Sequence, residues 1–337
     1  MTDADQQLVL RWLEFQQHNR GRQAGTATKY LKYMQRLMAY LADLGKGLLD
    51  ADRDDLEAFT GPEAHKAGMQ ARSRRPLVAA VRGFYGWARA MDLVNLDPSI
   101  ALPYPKTGRK LPKGMDLGNA EKLLLQPDLE AFTGVRDAAI LGVFMGCGLR
   151  VSGLVRLNES DLIWARDPET GGERLVLRVV EKGGKERYVP APHEVRLLIR
   201  MYLGHPDLDG IDRRLPNGDQ VLFVSTACRT IPEHEYYGEA RRIAQRSVDD
   251  LIKKYGEQAG IPRNQCSPHK LRHLYGTELA EDDVQVLKMQ ALMGHSDPKT
   301  TNEYVHVAMR SLSKVVDKAN PLAKMKTPVT ELAKQLS

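Results

Sequence analysis

Apolar residues recur at helical spacing through the first hundred positions. Val9, Trp12, Leu13 and Phe15 open an amphipathic stretch. Over residues 28–44, Tyr30, Leu31, Met34, Leu37, Met38 and Leu41 fall on one stripe, and Gly45 follows as a stop. A short helix is predicted over 52–59. A longer one is predicted over 68–91, with Leu77, Val78, Val81, Phe84, Tyr85 and Trp87 on its buried side. Helical patterns return over 117–125 and 136–145, then, after a Gly-Cys-Gly break, over 151–157. There the period changes to two: Leu175, Leu177 and Val179 alternate with outward positions. Gly183-Gly184 sits where a tight turn belongs, and 186–190 returns as the partner strand. From Glu194 onward the pattern is again mostly helical. The expected fold is mainly α with a small antiparallel sheet.

Between the two halves lies a run rich in Pro, Gly and Lys: Pro98, Pro103, Pro105, Lys106, Gly108, Arg109, Lys110, Pro112, Lys113 and Gly114. It reads as an extended, positive linker. The expected organisation is a helical domain at 1–105, a linker at 106–115, a second domain at 116–310 and a tail at 311–337. That tail carries Leu312, Val315, Val316, Leu322 and Leu332, too few apolar residues to fold alone. A length of 337 residues suits such a two-domain chain.

Composition narrows the function. With 42% hydrophobic and 27% charged residues, the chain has a globular profile. The three cysteines, Cys147, Cys228 and Cys266, are too scattered for a disulfide framework, which suits a reducing, cytoplasmic setting. The start carries acids where a signal peptide carries bases, and no apolar run approaches a membrane span. A net charge of +6 favours a polyanionic partner, with nucleic acid the commonest. Arg72, Arg74, Arg75 and Arg82 on the 68–91 helix, and Lys106, Arg109 and Lys110 in the linker, are candidate phosphate contacts, since guanidinium groups bind phosphate oxygens bidentately.

Five short segments carry candidate chemistry. Arg150 follows the glycine-rich turn Gly146-Cys147-Gly148. Lys182 and Lys185 flank the hairpin tip. His269 and Arg272 are i and i+3 behind Ser267-Pro268, an N-cap and N1 pair, so both face an anion-binding helix start. His295 follows Gly294, and Tyr304 lies on a helix opened by Asp297-Pro298. Singly, each has an ordinary reading: a capping arginine, an exposed basic turn, a capped surface helix, a packing tyrosine. A zinc set from Cys266, His269, His273 and His295 lacks a second close-spaced ligand pair.

Their order and spacing together resemble the catalytic domain of the tyrosine recombinase (phage integrase) family, in its Xer-like bacterial branch, over most of 115–310. The N-terminal helices, the Phe84-Tyr85-Gly86-Trp87 stretch and the basic linker resemble that branch's core-DNA-binding domain. The resemblance implies a two-domain DNA clamp. It implies that Arg150 and Arg272 clamp the scissile phosphate and that Lys182 protonates the leaving 5′ oxygen. His269 would act in acid/base work, His295 would contact a phosphate oxygen, and Tyr304 would be the nucleophile. It further implies strand exchange through a 3′-phosphotyrosyl intermediate and a Holliday junction, without metal or other cofactor, by a homotetramer on double-stranded DNA whose tails pass between protomers. A second recombinase or accessory protein is an open part of that expectation.

The chemistry agrees with these roles. Attack on a phosphodiester builds charge on non-bridging oxygens, which two fixed guanidinium groups stabilise. A phenol with a pKa of about 10 needs a base or a positive field, and the leaving alkoxide needs an acid. Two departures stand out. The family usually carries an acidic residue three positions after the first arginine, where this chain has Gly153, and often a threonine where it has Cys147. Residues 205–220 read as a surface insertion longer than the usual connection. Two rival functions use the same residues differently: type IB topoisomerase-like strand relaxation, and a catalytically silent DNA-binding or architectural protein. The absence of an arm-binding domain before residue 7 favours a simple recombinase working on short inverted repeats, for a mobile element or replicon.

Overall fold

The computed structural model describes residues 3–22, 24–106, 114–166, 171–180, 186–228, 230–282, 284–293, 315–316 and 319–327. The chain divides into two units, Met1–Leu111 and Pro112–Ser337.

The described elements of the first unit are all helical: α1 (Asp3–His18), α2 (Ala24–Asp43), α3 (Arg53–Ala58), a π turn at Phe59–Glu63, α4 (Ala64–Lys66) and α5 (Ala71–Ala90). The predicted stripes are its core. Trp12, Met34, Leu37, Leu41, Leu77, Val81, Phe84 and Tyr85 are buried together. Trp12 stacks on Tyr30 at 5.5 Å between centroids and meets Phe84 edge-on at 5.7 Å. Tyr85 settles its hydroxyl by donating to the Leu48 carbonyl at 2.8 Å. Asp52 caps α3, accepting from the Asp55 amide.

The second unit surrounds α7 (Phe132–Cys147), which follows α6 (Leu117–Leu124). Apart from Thr133, every α7 residue is buried, as expected of a helix apolar all round. Its two charges, Arg136 and Asp137, pair with each other, and Tyr255 donates to Asp137 at 3.0 Å. After α8 (Val151–Val155) come β1 (Leu162–Arg166), β2 (Glu173–Val180) and β3 (Glu186–Ala191), an antiparallel sheet in the order β1-β2-β3. On β2, Leu175, Leu177 and Val179 face the core opposite Ala191, Val189 and Arg187 of β3. Then follow α9 (His193–Leu203), α10 (Pro206–Asp209), α11 (Gln245–Gln258), α12 (Pro268–Glu281) and α13 (Val286–Met293).

The mostly helical pattern expected after Glu194 breaks down over 210–244, where turns and isolated antiparallel bridges, with buried side chains, hold the backbone. Arg213 is buried and donates to the Val221 carbonyl at 3.0 Å and to Glu159 at 2.8 Å, while Ser160 donates to Asp219 at 2.6 Å. The 205–220 insertion is thus anchored to its own domain. The described tail also packs there: Val316, Ala319, Leu322 and Met325 are buried, and Lys324 pairs with Glu278 at 2.8 Å and Asp282 at 2.9 Å. No helix among the described residues is long and apolar enough to cross a membrane.

Candidate active site

The α7–α8 turn aims the first arginine. Gly148 takes φ +59°, a left-handed conformation natural to glycine, and a side chain there would meet the Tyr275 ring 2.2 Å from its Cβ. That turn brings Arg150 to the N-cap position of α8, with extended backbone.

The second arginine comes from α12. Pro268 occupies its first turn as expected. Ser267 holds the N-cap position, but its hydroxyl makes no capping bond, so the cap expected of it is positional only. His269 is exposed on the first turn and Arg272, one turn on, is 6% exposed. Arg272 donates from Nη1 to the Gly148 carbonyl and from Nη2 to the Met293 carbonyl at the end of α13. One guanidinium therefore ties the segment carrying Arg150 to the segment that leads in sequence to His295. With five N–H donors, those two bonds do not exhaust it.

A third arginine, not singled out among the sequence candidates, joins them. Arg187 is partly buried on β3 and donates to the Leu292 carbonyl. The signal was present in the period-two pattern, because Arg187 shares a face with Val189 and pairs across the sheet with Val179. Burial, then the charges of Arg150 and Arg187, pull Arg272 down to about 9. Burial and then Arg150 likewise pull Arg187 down to about 10. Beneath them the Tyr275 phenol and the Cys147 thiol are both pushed up by burial, which keeps them neutral. A centre of close, partly desolvated guanidinium groups at a helix N-terminus favours an arriving phosphate diester.

Gly153 is buried on α8, and a Cβ there would lie 3.0 Å from Val179 Cγ1. The space beside that position is filled by valine. Lys182, Lys185, His295 and Tyr304 lie outside the described residues, as do Arg109 and Lys110. Among the described residues no three His, Cys, Asp or Glu side chains converge as a metal site.

In the first unit Arg72 is exposed, whereas Arg74 turns back to donate to the Gly61 carbonyl at 3.2 Å. Arg75 and Arg82 lie over the Tyr104 ring at 5.2 and 5.3 Å, and Lys106 is exposed beyond it.

Residues 115–311 match the phage integrase family, and residues 9–91 match the phage integrase N-terminal SAM-like domain. The chain belongs to the phage integrase family of tyrosine recombinases. It is 32% identical to tyrosine recombinase XerD of Proteus mirabilis, over 92% of this chain and 90% of that protein. It is also 32% identical to tyrosine recombinase XerD of Caulobacter vibrioides, over 94% and 96%. In fold it is similar to XerH site-specific recombinase bound to its difH substrate, with TM-score 0.61, 17% identity and coverage of 83% of this chain and 75% of that one. The Tn1549 transposon integrase in complex with circular intermediate DNA matches with TM-score 0.61, 16% identity and coverage of 90% and 94%. The chain is accordingly a tyrosine-type site-specific recombinase, mainly α with one small antiparallel sheet.

Proposed function

We propose that this recombinase cuts and rejoins double-stranded DNA through Tyr304. The phenol oxygen attacks the scissile phosphorus, the bond to the 5′ oxygen breaks, and a 3′-phosphotyrosyl link holds the strand. Arg150 and Arg272 bear on the non-bridging oxygens, where charge grows. Lys182 delivers the proton to the leaving 5′ oxygen. His269, exposed at the α12 start, serves acid/base exchange, and His295 contacts a phosphate oxygen. A 5′ hydroxyl from the partner duplex then reverses the step, so the phosphotyrosyl bond conserves the energy of the cut strand.

The observation that carries this reading is the pair of hydrogen bonds that Arg272 donates to the Gly148 and Met293 carbonyls, which organises the Arg150 segment and the approach to His295 around one cationic centre. Two structural relatives are recombinases captured with their DNA, which supports duplex DNA as the partner. The working assembly is a homotetramer on two sites of inverted repeats, resolving through a Holliday junction in the cytoplasm. A mobile element or replicon is the substrate.

The test is a nicked suicide duplex built from DNA flanking the chain's own gene, incubated with wild type and Tyr304→Phe. A denaturant-resistant adduct with wild type alone is expected. Specific binding without an adduct would favour a silent DNA-binding protein. Relaxation of supercoils by a monomer, without strand exchange, would favour the topoisomerase-like reading.

A further inference from the structure

We propose that Arg187 is a positioning residue of the recombinase centre, holding the end of α13 and keeping a third fixed positive charge beside Arg150 and Arg272. The inference rests on the Tyr304 reading above and adds a residue to it.

Two consecutive carbonyls, Leu292 and Met293, accept from two different arginines, Arg187 on β3 and Arg272 on α12. In sequence the next residues are Gly294 and His295. The end of α13 is thus gripped from the sheet and from α12 together, immediately ahead of a proposed phosphate contact. Placing Arg187 here has an electrostatic cost: it lies on the inward face of its strand, opposite Val179, near two other cations. A fold needing only packing at this point is satisfied by an aliphatic residue, as Val189 satisfies it two positions on. A fixed cation in that place acts on an anion that arrives, and its bond to Leu292 fixes where the charge sits.

Arg187→Gln keeps a donor and removes the charge, whereas Arg187→Lys keeps the charge and loses the fork. Both are assayed as full-length protein in single-turnover cleavage of the nicked duplex that traps wild type. A second duplex carries a methylphosphonate at the scissile position, which is uncharged in the ground state and builds one negative charge fewer in the transition state than the phosphodiester. With phosphodiester, Arg187→Gln is expected to slow cleavage by roughly 10- to 100-fold at saturating DNA, with DNA affinity held within about threefold. On the methylphosphonate that loss should shrink several-fold, a result that mere packing would not produce. Cleavage by Arg187→Gln within about threefold of wild type overturns the proposal, as does an equal loss on both duplexes. Should Arg187→Gln fail to fold, Arg187→Lys carries the test: a loss near tenfold with an unchanged thermal transition is expected, and an unchanged rate overturns it. Failure of the Tyr304 reading is distinct, since then wild type leaves no adduct or Tyr304→Phe still leaves one.

Discussion

Arg272 donates to the carbonyl of Gly148, the residue whose left-handed turn launches the chain toward Arg150. The bond couples the two arginines expected to share one phosphate, although 122 positions separate Arg150 from Arg272 in sequence. Arg272 is thereby a structural tie, and in the proposed mechanism a phosphate ligand as well. Its loss should lower cleavage by the ~10²–10³ typical of a missing oxyanion donor. It should also destabilise the catalytic unit by roughly 1–3 kcal/mol, because two carbonyls lose their partner. Arg272→Met, followed by adduct formation and chemical denaturation, measures both. Loss of cleavage with unchanged stability would mean that the carbonyl ties contribute nothing.

The Gly148 turn and the Tyr275 ring make a second, separable pair. Gly148→Ala introduces a Cβ 2.2 Å from the ring at a positive φ and should destabilise by about 1–3 kcal/mol or more. Tyr275→Phe goes the other way. The Tyr275 hydroxyl is buried with no hydrogen-bond partner among the described residues, so removing it should leave stability unchanged or raise it by up to ~1 kcal/mol, with cleavage retained. A large loss of cleavage in Tyr275→Phe would reveal a partner for that hydroxyl in the working complex.

Gly153 cannot simply be returned to an acid. Gly153→Asp sets a Cβ 3.0 Å from Val179 Cγ1 and buries a carboxylate, which should cost about 1–3 kcal/mol. Pairing it with Val179→Ala should recover part of that loss, and a double-mutant cycle in denaturant reads the coupling. Strict additivity would show that Val179 is not what fills the space.

The tail makes a test of the single chain. Leu322 is 1% exposed in the main core, so Leu322→Ala should destabilise the catalytic unit by about 2–5 kcal/mol, even at protein concentrations too low for assembly. Lys324→Met strips the cation from Glu278, whose side chain is only 5% exposed, and should cost about 1–3 kcal/mol. If Leu322→Ala leaves the dilute protein unchanged and weakens only assembly on DNA, the tail acts between protomers alone.

Much of this is legible in the sequence, and what is not has physical causes. The α2 and α5 stripes were legible because one face of each helix is buried, and β2 because its alternation is clean. β1 was missed because only Leu162 of its five residues is buried, so no alternation marks it. The 210–244 region gives no period because turns, isolated bridges and the side-chain bonds of Arg213 and Asp219 hold it in place of a long helix or strand. In the site, Arg150, His269 and Arg272 are candidates because their order and spacing carry the family resemblance. Arg187 escapes a reading by charge because a cation beside a basic turn reads as solvated, whereas its strand parity with Val189 points it inward. That Arg272 spends two donors on backbone carbonyls is long-range geometry, on which sequence spacing is silent.

The same cationic centre predicts a ligand effect measurable without DNA. Arg272 is a base whose folded pKa is pulled down to about 9 by burial and by its arginine neighbours. A lowered base destabilises the folded state while charged, so the cost is fully present below pH 9 and is relieved as pH rises through that value. An oxyanion bound between the guanidinium groups offsets this cost. Sulfate should therefore stabilise wild type by about 2.7 kcal/mol at 100 times its Kd, and so raise its thermal transition. Sulfate also stabilises proteins by exclusion from their surface, so Arg150→Gln supplies the baseline. The excess over that variant should be clear at pH 7 and smaller at pH 10, where the centre carries less charge. An equal sulfate response in wild type and Arg150→Gln would mean that the arginines do not form an anion site in the free protein, and that DNA itself must assemble it.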